Sequence, residues 1–201
     1  MFTIQQGTQA VKYARAVVDA TVTQQTRPSS LSDDFQQKQG AFVTLHTYPD
    51  HDLRGCIGIP TPMMPLQQAL MEAARSATHD PRFSPLKKEE LQTVIIEVTL
   101  LTPPKLLSVE QPHQYPKHIE IGTHGLIVEQ GTYKGLLLPQ VPVEQEWNKE
   151  EFLSHTCMKA GLMPDAWFER STKIYTFSGQ IFTELKPYGD IEEKKLDGSN
   201  N

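Results

Sequence analysis

Cysteine is scarce in this chain of 201 residues, which holds only Cys56 and Cys157. Two cysteines cannot build the disulfide framework of a small secreted domain, so we expect both thiols to be reduced. They also cannot supply the three cysteines of a radical-SAM cluster. The N-terminal stretch lacks the basic start and continuous apolar segment of a secretory signal. These absences favour a cytoplasmic protein.

Long apolar runs and an excess of positive charge are absent as well. A transmembrane helix needs about 18 consecutive apolar residues, and no such run occurs. Lysine and arginine number 19 against 24 acidic residues, so the net charge is −5. This balance gives no strong nucleic-acid signal, because binding to a phosphate backbone needs a basic surface. The hydrophobic content of 38% is sufficient for a folded core.

The common motifs for cofactors and metals are absent too. There is no P-loop, no G-x-G-x-x-G, no G-x-S-x-G, no H-E-x-x-H and no paired C-x-x-C. The seven histidines therefore indicate solvated or singly bonded side chains rather than a metal site. The sequence predicts neither a cofactor nor a metal.

The most informative segment that is present reads LRGCIG, residues 53–58. In a strand, residues two apart share a face, so Arg54 and Cys56 should project together. A nearby cation favours the thiolate, which predicts a reactive Cys56 assisted by Arg54. Gly55 and Gly58 would let a backbone or a ligand approach closely. The alternative is that Cys56 is a small buried hydrophobe without chemistry.

Apolar periodicity predicts a mixture of helices, hairpins and strands, which is an α+β pattern. Asn148 with Glu151 forms a capping box that should start one helix, and Gly161 should end it. The predicted elements are a helix over 10–22, a hairpin over 41–59, a helix over 66–77, a short helix over 84–91 capped by Ser84, a strand over 93–102, strand segments over 118–122, 125–130 and 133–139, the helix after Asn148, a helical turn over 164–168 and a strand over 173–185.

The predicted elements occur twice in the same order, as a hairpin, a helix, a D-x-x-F segment and a strand. This order indicates an internal duplication, although chance resemblance between two α+β units is the alternative. The halves would be residues 1–102 and 119–185, joined by a proline-rich connection over 103–118. The polar segment 186–201 should be a mobile tail.

Four further side chains are candidates for the site. Glu97 interrupts an apolar strand, so it should face solvent, a cleft or an arginine. Arg82 could bind an anionic ligand through a bidentate contact, or form a structural ion pair with Asp80. Gln140 and Glu144 follow the second hairpin and could face the same cleft as Arg54.

Six characteristic segments occur in order: LRGCIG (53–58), DPRF (80–83), EVTLLTPP (97–104), HGLIVEQG (124–131), GLLLPQVPVEQEW (135–147) and CMKAGL (157–162). Together they resemble the AMMECR-type family, in its archaeal and bacterial branch. The resemblance covers roughly residues 4–185 and implies an α+β fold with an antiparallel sheet covered by helices. It implies no established activity. Prokaryotic relatives are associated with Memo-like and radical-SAM proteins, which implies an intracellular modification pathway.

Two hypotheses for function follow. The chain could be an enzyme or enzyme subunit of that pathway, with Cys56, Arg54 and Glu97 as its catalytic residues. Alternatively, it could be a non-catalytic module that binds a peptide, an RNA or a partner enzyme. In either case the predicted binding residues are Gly55, Gly58, Arg82, Gln140 and Glu144.

Overall fold

The computed structural model of the protein describes residues 1–25 and 30–194. Within them the α-helices are α1 (Ile4–Thr23), α2 (Leu66–Ala77), α3 (Gln140–Glu144) and α4 (Lys149–Lys159). The strands are β1 (Ala41–Thr47), β2 (Leu53–Ile59), β3 (Val94–Leu101), β4 (Lys105–Leu106), β5 (Gly125–Gln130), β6 (Tyr133–Leu137), β7 (Lys173–Phe177), β8 (Gly179–Glu184) and β9 (Ile191–Lys194). Short 3-10 helices occupy Asp33–Phe35, Lys88–Gln92, Pro112–His118 and Ala166–Phe168. These elements confirm the predicted α+β class.

None of the helices in the described part of the chain is long and apolar enough to cross a bilayer.

The first compact unit comprises Met1–Pro103 and the described residues from Gln180 onward. Its sheet has the order β2-β1-β3-β8-β9. α2 packs on β1 and β2, while α1 packs on β3, β9 and α2. The apolar stripe of α2 consists of leucines and alanines that are essentially fully buried, as the sequence predicts. Both helices contribute to a single hydrophobic core with the sheet, so α1 and α2 lie on the same face of the sheet.

The second compact unit covers Pro104–Gly179, and its sheet has the order β4-β7-β5-β6. α4 packs on β5 and β6. The predicted capping box is confirmed, because the Asn148 side chain accepts the N–H of Glu151 at 3.0 Å and the Glu151 carboxylate accepts the N–H of Asn148 at 2.8 Å. The predicted stop is confirmed as well, since Gly161 adopts φ +80 just past the helix end.

The predicted long strand over 173–185 is wrong in one respect: the structure divides it into two strands. β7 pairs with β5, whereas β8 pairs with β9. Ser178 separates the two strands, and each belongs to a different sheet. The alternating sequence pattern runs through both strands because alternation records which side chains are buried and not which strand is the partner.

Two shorter predictions are also corrected. The predicted helix over 84–91, capped by Ser84, is replaced by the 3-10 helix Lys88–Gln92. The carbonyl of Ser84 accepts a hydrogen bond from Arg54 instead of one within a helix. No strand forms over 118–122, because the chain turns there with Gly122 at φ +81.

The tail predicted to be mobile is in part a strand. Residues 191–194 form β9, which pairs antiparallel with β8 from Ile181 to Glu184. The proline-rich connection predicted over 103–118 likewise contains β4 and the 3-10 helix Pro112–His118. Residues 186–190 of the predicted tail connect β8 to β9, and residues 195–201 lie outside the described residues.

The two units share an order of elements. In the first, the hairpin β1–β2 is followed by α2 and β3, and the strands neighbour one another as β2-β1-β3. In the second, the hairpin β5–β6 is followed by α4 and β7, with the order β6-β5-β7. Arg54 in β2 and Lys134 in β6 thus occupy corresponding strands. The internal duplication itself, and a single functional domain over 1–185, stay predictions.

Candidate functional site

The face of the first sheet opposite its helices carries the chemistry-bearing side chains. In β1 the residues that point toward the helices alternate with Thr44 and His46, which point the other way. The strand register places Cys56 of β2 opposite Thr44 on one side and Glu97 of β3 opposite it on the other. We call the surface formed by Cys56, Thr44, Glu97 and His46 the Cys56 face.

Cys56 is a half-buried free thiol. The Thr44 hydroxyl donates a hydrogen bond to its Sγ at 3.2 Å. A donor to sulfur stabilises the thiolate more than the thiol, because only the thiolate carries a full negative charge. The arrangement is therefore compatible with a reactive sulfur at an accessible position.

Cys157 has the opposite environment. It is fully buried in the core of the second unit, on the inner face of α4, as the sequence predicts. Burial raises the pKa of its thiol to about 11. Cys157 is therefore an inert packing residue at neutral pH.

Asp80 and Arg82 hold the backbone of Cys56. β2 is an edge strand, and the N–H of Cys56 donates to Asp80 Oδ2 at 2.8 Å. Arg82 Nη2 donates to the Cys56 carbonyl at 3.1 Å and to Asp80 Oδ2 at 2.7 Å. The hydrogen bonds from Arg82 hold the pKa of Asp80 well below its usual range. Arg82 thus forms the structural ion pair, and its role in binding an anionic ligand stays a prediction.

Arg54 differs from its predicted arrangement. Its Nε and Nη2 donate to the two carboxylate oxygens of Glu90 at 2.8 and 3.1 Å, and Nη2 also donates to the Ser84 carbonyl at 3.0 Å. The hydrogen bond from Arg54 lowers the pKa of Glu90. A carboxylate attracts a guanidinium far more strongly than a thiol does, so Arg54 ties β2 to the 3-10 helix Lys88–Gln92.

The pairing of β1 with β2 adds a second reason for this difference. The register shifts between Leu45 and His46, which marks an irregularity next to Arg54. Such a bulge re-aims side chains, so simple alternation cannot place Arg54 relative to Cys56.

The two glycines of the motif are approached by the chain itself. A Cβ at Gly55 would lie 2.5 Å from the carbonyl oxygen of Ala77, at the end of α2. A Cβ at Gly58 would overlap the ring of Phe42. Gly55 therefore lets α2 rest closely on the edge strand, while a role for either glycine in ligand binding stays a prediction.

Glu97 lines a cleft of about 420 Å³ on the Cys56 face. Its side chain is only 12% exposed, and Lys194 Nζ lies 3.3 Å from its Oε2. His46 Nε2 lies 3.8 Å from Oε1, too far for a hydrogen bond. Burial raises the pKa of Glu97, but His46 and the Lys194 ammonium together outweigh this effect, so the pKa lies below its usual value.

Gln140 and Glu144 stand at the two ends of α3 in the second unit, and both are exposed. Their predicted contribution to binding stays a prediction. Among the described residues there is no group of three histidine, cysteine or acidic side chains arranged to hold a metal ion.

Sequence reasoning missed Thr44, His46 and Lys194. A signal existed for the first two, since Thr44 and His46 are two residues apart in the predicted strand over 41–48 and thus share a face. Their position next to Cys56 and Glu97 depends on strand register, which the sequence does not give. Lys194 lies in the segment predicted to be a mobile tail.

Comparison with known proteins gives consistent matches along the chain. The sequence model of the AMMECR1 family matches residues 11–182. Protein MJ0810 of Methanocaldococcus jannaschii is 53% identical over 198 residues, which cover 98% of both chains. A protein of Aquifex aeolicus is 51% identical over 170 residues, covering 84% of this chain and 87% of its own. The crystal structure of the uncharacterised protein PH0010 from Pyrococcus horikoshii aligns with a TM-score of 0.76 and 45% identity, over 94% of this chain and 97% of that one.

Proposed function

We propose, from the premise that this chain belongs to the AMMECR1 family, that it acts through the Cys56 face as an enzyme or enzyme subunit. The observation that carries the proposal is the cross-strand row of Cys56, Thr44 and Glu97. It combines a half-buried thiol, a hydroxyl that donates to the sulfur and a carboxylate on the sheet face opposite α1 and α2. Thiols with donors to the sulfur serve as nucleophiles or covalent acceptors.

In this proposal each side chain of the row has a task. Cys56 contacts the substrate through its sulfur, and the Thr44 hydroxyl stabilises the thiolate. Glu97 binds a positively charged or hydrogen-donating part of the substrate. Arg54 and Arg82 act indirectly, because they fix the strand and the backbone that present Cys56.

The pathway follows from the family resemblance alone. We propose that the chain works in the cytoplasm in a modification pathway with Memo-like and radical-SAM proteins. A partner enzyme would then supply or receive the group carried at Cys56. This association is a proposal about partners, and the site chemistry above does not depend on it.

Alkylation of the native protein tests whether Cys56 is reactive. Iodoacetamide at pH 7.5 should label Cys56, whereas Cys157 should remain unlabelled until denaturant is added, because it is buried. Thr44→Val should slow the labelling of Cys56 about fivefold, the effect of losing one hydrogen bond of about 1 kcal/mol. Peptide mass spectrometry over time gives both rates.

Thr99→Val is the matched control for this experiment. Thr99 lies on the same face but pairs with Phe42 rather than with Thr44. Its variant should label at the wild-type rate. A Cys56 that reacts only after unfolding, or at equal rates in both variants, would remove the nucleophile from the proposal.

The second candidate function is a non-catalytic binding module. It is favoured by the engagement of Arg54 and Arg82 in hydrogen bonds with the carboxylates of Glu90 and Asp80. Protein purified from cells that also express the Memo-like and radical-SAM proteins discriminates between the two. A mass adduct at Cys56 that is lost in Cys56→Ser supports the enzyme. Partner binding that persists in Cys56→Ser, without any adduct, supports the module.

A further inference from the structure

We propose that the cleft beside Glu97 is a binding site for a primary ammonium group, and that Lys194 of the same chain occupies it in the absence of ligand. The cleft lies between β1, β3, β8 and β9. Its lining residues are His46, His51, Ile95, Glu97, Thr183, Glu184, Leu185, Glu192 and Lys194.

Glu97 provides the negative charge. It is the one acidic residue of β3, and its side chain is 12% exposed. A carboxylate withdrawn from water to this extent requires a positive partner or hydrogen-bond donors. In the structure this partner is the ammonium of Lys194, at 3.3 Å from Oε2.

His46 provides a second polar atom that lacks a hydrogen-bond partner. The contact between its Nδ1 and the carbonyl of His51, at 3.2 Å, requires a proton on Nδ1. In the neutral ring Nε2 then carries a lone pair. Within the described residues this buried Nε2 has no hydrogen-bond partner, and it lies 3.8 Å from Glu97 Oε1. With the ring neutral, Nε2 and Glu97 Oε1 are two acceptors that one group with several N–H donors can bridge.

An ammonium group matches this need. It carries one positive charge and three N–H donors, so it can bond a carboxylate and an imidazole nitrogen together. The other lining side chains do not oppose a cation: Glu192 is acidic and exposed, and Glu184 is already bonded to Arg15 and to the N–H of Ile96. A cavity of about 420 Å³ has the size of a small-ligand site.

Lys194 is suited to be displaced. Its side chain is 58% exposed, and it lies on β9, the edge strand that pairs with β8. Because the Lys194 side chain is exposed, its ammonium can return to water while a ligand ammonium takes its place beside Glu97, so the negative charge keeps a partner. Lys194 thus resembles the ligand that the cleft would take.

The ammonium could come from a free alkylamine or from a lysine side chain of a protein. This inference extends the proposed function by naming a ligand class, and it does not depend on the reactivity of Cys56. Labelling of Cys56 in the same samples tests the proposed reactivity of its thiol separately from amine binding. Failure of amine binding and failure of alkylation are thus distinguishable results.

Titration by NMR spectroscopy of the 15N-labelled chain tests the inference. The probes are n-butylammonium for the free amine and acetyl-Gly-Lys-Gly-amide for the protein source. At least one of them should shift resonances of cleft residues. Lys194→Met should bind that probe about threefold more tightly, because the internal competitor is removed. Glu97→Gln in the Lys194→Met background should weaken binding at least tenfold, because the charge-assisted hydrogen bonds are lost.

Two controls make the outcome decisive. The peptide with an acetylated lysine has no charge and should cause no shifts, and Glu89→Gln, an exposed glutamate outside the cleft, should bind as the wild type does. The inference is overturned if Lys194→Met binds no more tightly than the wild type, or if the acetylated peptide binds equally well. These two comparisons suffice even if Glu97→Gln fails to fold.

Discussion

At the scale of single residues, the Asp80 carboxylate accepts the backbone hydrogen bond of Cys56 that has no neighbouring strand to accept it. The Asp80 side chain is 1% exposed and accepts hydrogen bonds from the N–H groups of Cys56 and Arg82 and from the Arg82 guanidinium. Arg82 in turn donates to the Cys56 carbonyl. Both backbone groups of Cys56 are therefore satisfied at the sheet edge, which protects that position from pairing with another chain.

Replacing Asp80 should make stability depend less on pH. The pKa of Asp80 in the folded protein lies below the unfolded value, so its stabilisation is present above about pH 4 and is lost as the pH falls further. Asp80→Asn should lower the free energy of unfolding at pH 7 by about 2 kcal/mol, the contribution of hydrogen bonds to a charged group. Urea unfolding at pH 7 and at pH 3 measures both values.

The difference between Asp80→Asn and the wild type should shrink at the lower pH. Asp52→Asn provides the matched control, since Asp52 is an exposed carboxyl in the turn after β1. An equal loss at both pH values would contradict the charged state assigned to Asp80.

The sequence predicts some residues of the candidate site and misses the contacts of others. Alternation along a strand suffices to select Cys56 and Glu97, because both project from predicted strands. It fails for Arg54, whose long side chain can reach several partners and binds Glu90, which is 36 residues away in sequence. It fails for Lys194 too, because only a strand pairing brings β9 to the sheet. Charged partners at long range are fixed by the tertiary fold.

At the scale of elements, the start of α4 is the sharpest local signal in the chain. The Asn148 side chain accepts the N–H groups of Glu150 and Glu151, both at 3.0 Å. Asn148→Ala should lower the free energy of unfolding by about 1 kcal/mol, the usual effect of losing a helix cap. Denaturant unfolding followed by circular dichroism measures it.

Glu150→Gln serves as the comparison for the cap, because it changes an exposed side chain of the same turn and leaves the Asn148 bonds in place. We expect a change within about 0.5 kcal/mol for it. If Asn148→Ala were no less stable than Glu150→Gln, the cap would not define the start of α4.

The predicted elements differ in whether local or long-range interactions determine them. α2 and α4 follow from apolar spacing and capping, which are local, so the sequence predicts them closely. The division of 173–185 into β7 and β8 depends on which sheet each part joins. That choice involves strands far away in the chain, and no local pattern records it.

At the scale of the whole molecule, the first unit is built from both ends of the described chain. Arg15 of α1 and Glu184 of β8 form a buried, bidentate ion pair, and Glu184 also accepts the N–H of Ile96 at 2.9 Å. Arg15 donates in addition to the carbonyls of Leu91 and Val94. This network joins α1, β3 and β8 across 169 residues of sequence between its two charged members.

Removing one charge of this pair should be costly. Glu184→Gln should lower the free energy of unfolding by about 3 kcal/mol, because the Arg15 charge would remain buried without its partner. Thermal and urea unfolding measure the loss. Glu193→Gln, an exposed glutamate on the neighbouring β9, should change stability by less than about 1 kcal/mol. Similar losses for the two variants would mean that the buried pair does not secure the first unit.

The return of β8 to the sheet of the first unit has a consequence for protein synthesis. The second unit, Pro104–Gly179, is complete along the chain before β8 has been translated. Domains fold as units while the chain leaves the ribosome. The second unit therefore has all of its strands available while Arg15 of α1 still lacks its partner Glu184. The second unit can thus fold before the first. The unit that carries Cys56 is completed only after β8 and β9 have been translated.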